Sequence, residues 1–430
     1  MGFVKTHISF RSIFEYLICG VLIYLTGSAW IATHEDASVF RILSVILIFL
    51  CVAYEFLFIK SWNSFERALF AAFGCIGFLV LEFAVYSPTL FGFSLRLMWV
   101  VSFVMVLFTK KTDVARFMKC FFRIMVCITI VTLIAYIPIN LIKMDIPYNH
   151  VESNGDIYFY RRYLGFFYAA GMYLVYLPVV GIRVFRVQSF FWEPGVYAVY
   201  LTYSLFYFVF HKEKKRLSEL LLLVIAMLLT YSTTGIMIGI GLVAIHCIRN
   251  SSIKKFYKSF LYVPMILVAM IGIYVVWMAK KIDESGAING SYSARMRDIF
   301  DGLALIAKKP VFGWGYKNYA VFEFAQNMGR GSSNGLITLG YTMGIVGLII
   351  VLYPFVASLF LANKKNRFKE IIFSTVFVLT NMTEPLIFMP FMICLVAYQY
   401  RKCWLMRRQR ARLKSCTNKK MSRVIVIRQN

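Results

Sequence analysis

Residues 334–362 read NGLITLGYTMGIVGLIIVLYPFVASLFLA, a run without one Asp, Glu, Lys or Arg. About 20 apolar residues suffice to cross the hydrocarbon layer as a helix. Lipid offers the backbone no partners, so a run of this kind must close its own hydrogen bonds. It is continuous rather than alternating, which excludes a barrel strand. Comparable runs extend outward from it on both sides, at 13–33, 39–59, 66–86, 89–108, 117–141, 192–210, 217–231, 234–248 and 259–279, then at 370–381 and 385–400. Composition agrees: 60% of the 430 residues are hydrophobic and 16% charged, where a soluble domain carries about a quarter charged residues. The expected fold is an all-α polytopic membrane protein of about twelve transmembrane helices.

Lys and Arg gather in alternate connections, which sets the orientation. One set holds Lys60 and Arg67; Lys110, Lys111, Arg116 and Lys119; Lys212, Lys214, Lys215 and Arg216; Arg249, Lys254, Lys255 and Lys258; Lys364, Lys365, Arg367 and Lys369. The alternate short turns hold none, so both termini are expected in the cytoplasm. The net charge of +27 is therefore topology signal plus a basic tail with Arg407, Arg408, Arg410, Arg412 and Lys414, suited to anionic headgroups. No nucleic acid is called for, since the tail has no aromatic platform. No cleavable signal peptide is expected, and the scattered histidines predict no metal site. Glu15, Glu55 and Arg123 fall near span ends, where snorkelling accounts for them. Arg96 lies deep in the fourth span, where Glu82 or a bound phosphate is its expected partner.

The expected divisions are helices over 1–142, an external loop over 143–190, helices over 191–279, a second external loop over 280–333, helices over 334–400, and a basic cytoplasmic tail over 401–430. Both long loops are basic on the side where the topology rule asks for no charge, through Arg161, Arg162, Arg183 and Arg186 in the first and Arg295 and Arg297 in the second. Long loops can escape the charge rule. Alternatively these arginines form an anion site, because the planar guanidinium matches phosphate oxygens. Within the first loop, 168–184 is apolar enough to be re-entrant or interfacial. In the second, Met296, Ile299, Phe300, Leu303, Ile306 and Ala307 recur at helical spacing, with Asp298 and Asp301 off that face. Lys309-Pro310 ends this helix, and Gly313-Trp314-Gly315 supplies a turn with an aromatic at its tip.

Phe191-Trp192-Glu193-Pro194-Gly195 opens the sixth span, with Pro in the first turn where its missing N–H costs nothing. Glu193 can serve there as a favourable charge at the helix dipole or as a carboxylate facing an external polar cavity. Asn381-Met382-Thr383-Glu384-Pro385 places Glu384 at a comparable depth. Ser232-Thr233-Thr234-Gly235 forms a tight external hairpin.

In their order along the chain, these pieces resemble the Wzy family of O-antigen and capsule repeat-unit polymerases, and more broadly the superfamily that includes the O-antigen ligases. They are Phe191 to Gly195, Ser232 to Gly235, Arg295 or Arg297 before a helix, Lys309-Pro310-Val311-Phe312-Gly313-Trp314-Gly315, and Asn334 leading to Gly344-Ile345-Val346-Gly347-Leu348. The resemblance covers about 192–348. It departs at Ser332-Ser333-Asn334, where many relatives, the ligases especially, carry His before Asn. It implies a GT-C-like glycosyltransferase in the bacterial inner membrane. Such an enzyme moves a growing glycan from undecaprenyl diphosphate onto a single lipid-linked repeat unit, on the periplasmic face and without metal or other cofactor. A chain-length regulator and a flippase are the implied partners. Glu193 and Glu384 are then the candidate bases. Arg295, Arg297, Arg161, Arg162, Arg183, Arg186 and Arg96 are candidates for the diphosphate, with Trp314, Tyr316 and Asn334 for the glycan. Tyr148, Tyr158, Tyr160 and Tyr163 could equally form an interfacial aromatic belt. The rival readings are a ligase of the same superfamily, a flippase or other transporter, and a non-catalytic assembly partner.

Overall fold

The computed structural model describes residues 9–29, 37–58, 114–141, 146–152, 159–163, 167–170, 174–177, 182–250, 291–315 and 332–428. The spans expected at 66–86, 89–108 and 259–279 lie outside these residues, as do Arg96, Glu82 and Tyr316. The helices are α1 (Phe10–Gly27), α2 (Ala37–Phe58), α3 (Val114–Tyr136, prolonged by a π turn over Ile137–Leu141), α4 (Pro194–Phe210), α5 (Leu217–Leu229), α6 (Thr233–Asn250), α7 (Ser291–Lys308), α8 (Gly335–Leu361), α9 (Lys364–Thr383) and α10 (Pro390–Arg428). The stretches Phe10–Gly27, Arg116–Asn140 and Gly335–Leu361 are long and apolar enough to cross a membrane, while Pro194–Phe210, Leu217–Leu229 and Thr233–Arg249 are apolar but shorter.

Helix α4 is the axis of the core. Every residue from Pro194 to Val209 is buried, as befits a helix that is hydrophobic all round. It packs against α3, α5, α6 and α9. Aromatic rings bind the layers together: Phe391 of α10 stacks on Phe121 of α3 at 4.8 Å and on Tyr200 of α4 at 4.9 Å, and Phe191 meets Tyr200 at 4.8 Å.

The first long loop corrects the all-α expectation. Strands β1 (Tyr148–Glu152), β2 (Phe159–Tyr163) and β3 (Phe167–Ala170) form an antiparallel meander, and β4 (Leu174–Leu177) pairs with β5 (Ile182–Phe185) as a hairpin. The stretch 168–184, expected to be re-entrant or interfacial, is thus divided between a strand and a hairpin. The physical reason is legible afterwards. Pro178 and Gly181 interrupt the apolar run, and each half is rich in β-branched and aromatic residues. Gly165 sits in the three-residue link between Tyr163 and Phe167, a common hairpin length.

The basic tail continues α10 without a break at residue 400, through Arg428. Two of its exposed arginines bond α8: Arg410 donates to the Phe360 carbonyl at 2.8 Å and Arg407 to the Tyr353 hydroxyl. Glu15 does not snorkel. Its carboxylate accepts from Arg11 at 3.0 Å and Tyr54 at 2.9 Å and lies 3.1 Å from Arg116 Nε, joining α1, α2 and α3.

The end of α4 reaches the start of α9. Phe210 packs on Phe368 and Lys212 pairs with Glu219. Between α9 and α10, the fully buried Glu370 carboxylate takes hydrogen bonds from Gln399, at 3.1 Å, and Lys402. His211, just beyond α4, is stacked on Tyr207. Burial, then the charges of Lys369 and Lys402, hold its imidazole down to about 3, against an ordinary 6.5. The folded protein thus keeps His211 neutral while the unfolded chain protonates it near pH 6.5. The associated stability is complete above that value and drains away as pH falls from 6.5 towards 3. His211→Gln is expected to flatten this part of the profile, measured as melting temperature between pH 8 and pH 5. An unchanged slope would show that His211 does not contribute to it.

Candidate active site

The segment ahead of α4 is fastened before the helix begins. The Phe190 carbonyl accepts from Ala29 N–H at 2.7 Å, Trp192 N–H donates to Gly27 at 3.1 Å, and Val187 N–H donates to Leu229 at 2.9 Å. The Phe191 ring lies so close over Gly27 that a β-carbon there would sit 2.3 Å from it. Glu193 occupies the N-cap with extended backbone, Pro194 follows in the first turn, and the Glu193 side chain does not bond to the first-turn N–H groups. Its charge still stands at the positive end of the α4 dipole.

Glu384 follows α9, and its backbone N–H bonds Thr380 at 3.1 Å. It is 5% exposed, and its carboxylate rests on Gly195. A β-carbon at 195 would lie 1.9 Å from Oε1 and 2.8 Å from Cδ; one at Gly335 would lie 2.8 Å from the Glu384 carbonyl oxygen and 2.9 Å from that of Asn381. The N-termini of α4 and α8 thus meet at one glutamate, α4 at its carboxylate, whose charge suits the positive dipole end, and α8 at its backbone carbonyl. Asn334 caps α8 by accepting from Ile337 N–H at 3.1 Å, and its own N–H donates to Ser332 Oγ at 3.1 Å. Ser333 donates both its N–H (2.8 Å) and its hydroxyl (2.7 Å) to Asp298 Oδ2 of α7. The Ser232–Gly235 hairpin joins the same place: Gly195, Thr202, Ser232, Thr234, Thr380 and Thr383 line a small slot beside the start of α4.

Two further motifs prove to be one device. Gly344 breaks α8 with φ 65° and ψ −164°, and the segment after α7 docks into the break through a backbone ladder. Trp314 and Gly315 N–H donate to Tyr341 and Thr342 at 2.7 and 2.9 Å; Ile345 and Val346 N–H donate to Pro310 and Val311 at 2.8 and 3.2 Å. Gly313 (φ 70°) and Gly344 are each so close to the opposite backbone that neither site has room for a side chain.

The expected ligand residues are dispersed. Trp314 is buried, donates Nε1–H to the Leu305 carbonyl at 2.9 Å, and has Lys309 Nζ 4.1 Å from its ring centre. Its ring packs with Leu305 of α7 and Tyr341 of α8. Asn334 is the cap just described. Neighbouring positions on a strand face opposite ways, so Arg161 and Arg162 leave β2 on opposite sides. Arg161 lies over Tyr148 and Phe185, while Arg162 lies beside the Tyr168 phenol. Arg183 is exposed on β5; Arg186 donates to the Thr230 carbonyl at 2.7 Å. Arg297 is exposed on α7, and Arg295 lies on the same helix. On that helix the packed face is shifted from the expected one: Ile306 packs on Gly340 of α8, but Phe300 and Leu303 are 64% and 49% exposed, whereas Gly302 and Leu305 are buried against α8 and Asp298 bonds Ser333.

Sequence reasoning missed the Glu384–Gly195 contact, the break at Gly344 and the Ser333–Asp298 link. For the cap a signal was present, since Ser-Ser-Asn before an apolar run marks a helix start. No curated protein sequence matches the chain. Residues 220–352, from α5 to beyond the break in α8, match the family model described as O-antigen ligase. This stretch is therefore similar to that family and supports a place for the protein in the O-antigen ligase and polymerase superfamily.

Proposed function

We propose that the protein is a membrane glycosyltransferase that polymerises lipid-linked oligosaccharide repeat units. The observation that carries this reading is the meeting of Glu-Pro-Gly, Ser-Thr-Thr-Gly and Asn-Met-Thr-Glu-Pro around the buried Glu384, with Asp298 of α7 tied to the same cluster. A hydroxyl at the non-reducing end of one lipid-linked unit attacks the anomeric carbon of the growing glycan. The new C–O bond forms as the bond to the diphosphate breaks. The hydroxyl proton passes to a carboxylate, Glu384 or Glu193, and the electron pair leaves on undecaprenyl diphosphate. Arginines stabilise that developing charge; the candidates remain Arg295, Arg297, Arg161, Arg162, Arg183, Arg186 and Arg96. In this reading the site faces the periplasm of a bacterial inner membrane, both termini are cytoplasmic, and a chain-length regulator and a flippase are its partners.

The description of the matching family favours a second reading, transfer of finished glycan to lipid A–core. The Ser332-Ser333-Asn334 sequence, without His before Asn, supports the polymerase. Reconstitution with one purified undecaprenyl-diphosphate repeat unit separates them. A ladder of lengthened lipid-linked glycans is expected. Transfer seen only when lipid A–core is supplied would establish the ligase instead.

A further inference from the structure

Helix α7 has two faces. On one, Gly302 meets Ile337 and Ile306 meets Gly340, so α7 runs beside the first part of α8. The other face is apolar and exposed: Phe300, Leu303, Ala304 and Ala307 form a stripe at helical spacing. Val311 and Phe312, just past the helix, are exposed too. Arg297 and Lys308, both exposed and about three turns apart, share one flank of the stripe. The two acids of α7 lie off it: Asp298 bonds Ser333, and Asp301 has one carboxylate oxygen buried. An apolar stripe left standing in water is unfavourable, and such patches mark places of interaction.

What covers the stripe follows from lengths along α8. None of residues 335–344 is exposed, whereas Ile345, Ile349, Tyr353, Val356 and Phe360 form an exposed apolar side from the break onward. From Ile345 to Leu361 the helix rises about 25 Å, against a hydrocarbon core of about 30 Å. Asn363 and Lys364 follow at once. The part of α8 after Gly344 thus nearly fills the core by itself, and the break lies near the opposite boundary. The part before Gly344, with α7 beside it, then lies at the level of the headgroups. The turn that carries Val311 and Phe312 is hydrogen-bonded to Ile345 and Val346, so the exposed apolar surfaces of the two helices adjoin there. We propose that α7 is an interfacial helix, with Phe300, Leu303, Ala304 and Ala307 sunk among the lipids of that leaflet and Arg297 and Lys308 among their phosphates. An apolar face with a basic flank is how helices lie in a membrane surface, and anionic headgroups complement the two cations. Asp298, on the face turned to α8, is thereby held at headgroup depth. The inference goes beyond the polymerase reading and does not depend on it.

The test uses the full-length protein in nanodiscs of phosphatidylethanolamine and phosphatidylglycerol. The photo-reactive residue p-benzoylphenylalanine replaces Phe300, Leu303 or Phe312, one at a time, and the discs are illuminated. Each of these sites is exposed, so the added ring leaves the packing alone, and a wild-type melting temperature checks this. Phe360, on the exposed side of α8, is the positive control. Intact-protein mass spectrometry is expected to show a mass gain of one phospholipid at all three positions, as at Phe360. A lipid adduct missing at Phe300 or Leu303 while Phe360 is labelled overturns the proposal. Adducts there to a second protein chain in place of lipid overturn it as well. A protein that labels as expected and forms no glycan ladder keeps its interfacial helix and loses the polymerase reading alone.

Discussion

Gly195→Ala is expected to abolish polymer formation, although it adds only one methyl group. In an ordinary helix this change is favourable by about 1 kcal/mol. Here the methyl would lie 1.9 Å from Glu384 Oε1, far inside contact distance, so the carboxylate must leave the N-terminus of α4. If Glu384 is the base, its displacement removes proton transfer, worth roughly 10²–10⁴ in rate. Glu384→Gln should produce a loss of the same order while keeping the packing, and Glu193→Gln tests the neighbouring carboxylate. Glu384→Asp placed in the Gly195→Ala background withdraws the carboxylate by one methylene and should recover part of the folded stability. The measurement is the in vitro glycan ladder, with expression level and melting temperature as controls. Near-wild-type ladders from both Gln variants would pass the role of base to Asp298, Asp301 or the substrate itself.

Gly344→Ala carries the second large effect, and here the loss is of the fold. With φ 65° and ψ −164°, residue 344 occupies backbone space essentially reserved for glycine, a strain of order 1–3 kcal/mol for other residues. A β-carbon would also stand 2.2 Å from the Val311 carbonyl oxygen, which cannot move without breaking the ladder to Ile345 and Val346. The expected result is a melting temperature lower by on the order of 5–10 °C, with α7 released from α8 and more readily cleaved by protease. Gly241→Ala is the control, since among the described residues no atom beyond its own helix backbone lies within 4 Å of its added carbon; it should be neutral or stabilising. Equal behaviour of the two variants would show that the break in α8 is not held by Gly344.

What was legible in the sequence followed from local rules. An uncharged run such as 335–361 specifies a helix by itself, and Pro194 and Asn334 mark helix starts by their own chemistry. The hairpin of β4 and β5 was hidden because a short apolar run does not distinguish strand from buried helix. The packed face of α7 was misread for a related reason. In lipid or at its boundary an apolar face can turn outward, and Ser333 rewards Asp298 for turning in. The seat of Glu384 on Gly195 was invisible in principle: the two residues are remote in the chain, and a glycine does not announce what presses against it.

The Glu370 cluster has a consequence for the opposite end of the molecule. Helices α9 and α10 form a two-pronged fork whose bend carries Glu384, and Glu370 bonds both Gln399 and Lys402 at its open end. Fourteen residues of helix separate Glu370 from Glu384, about 21 Å of rise. Rigid rods transmit sliding at one end to the other almost undiminished. Glu370→Leu is therefore expected to loosen the alignment of Glu384, read as a weaker glycan ladder at unchanged expression.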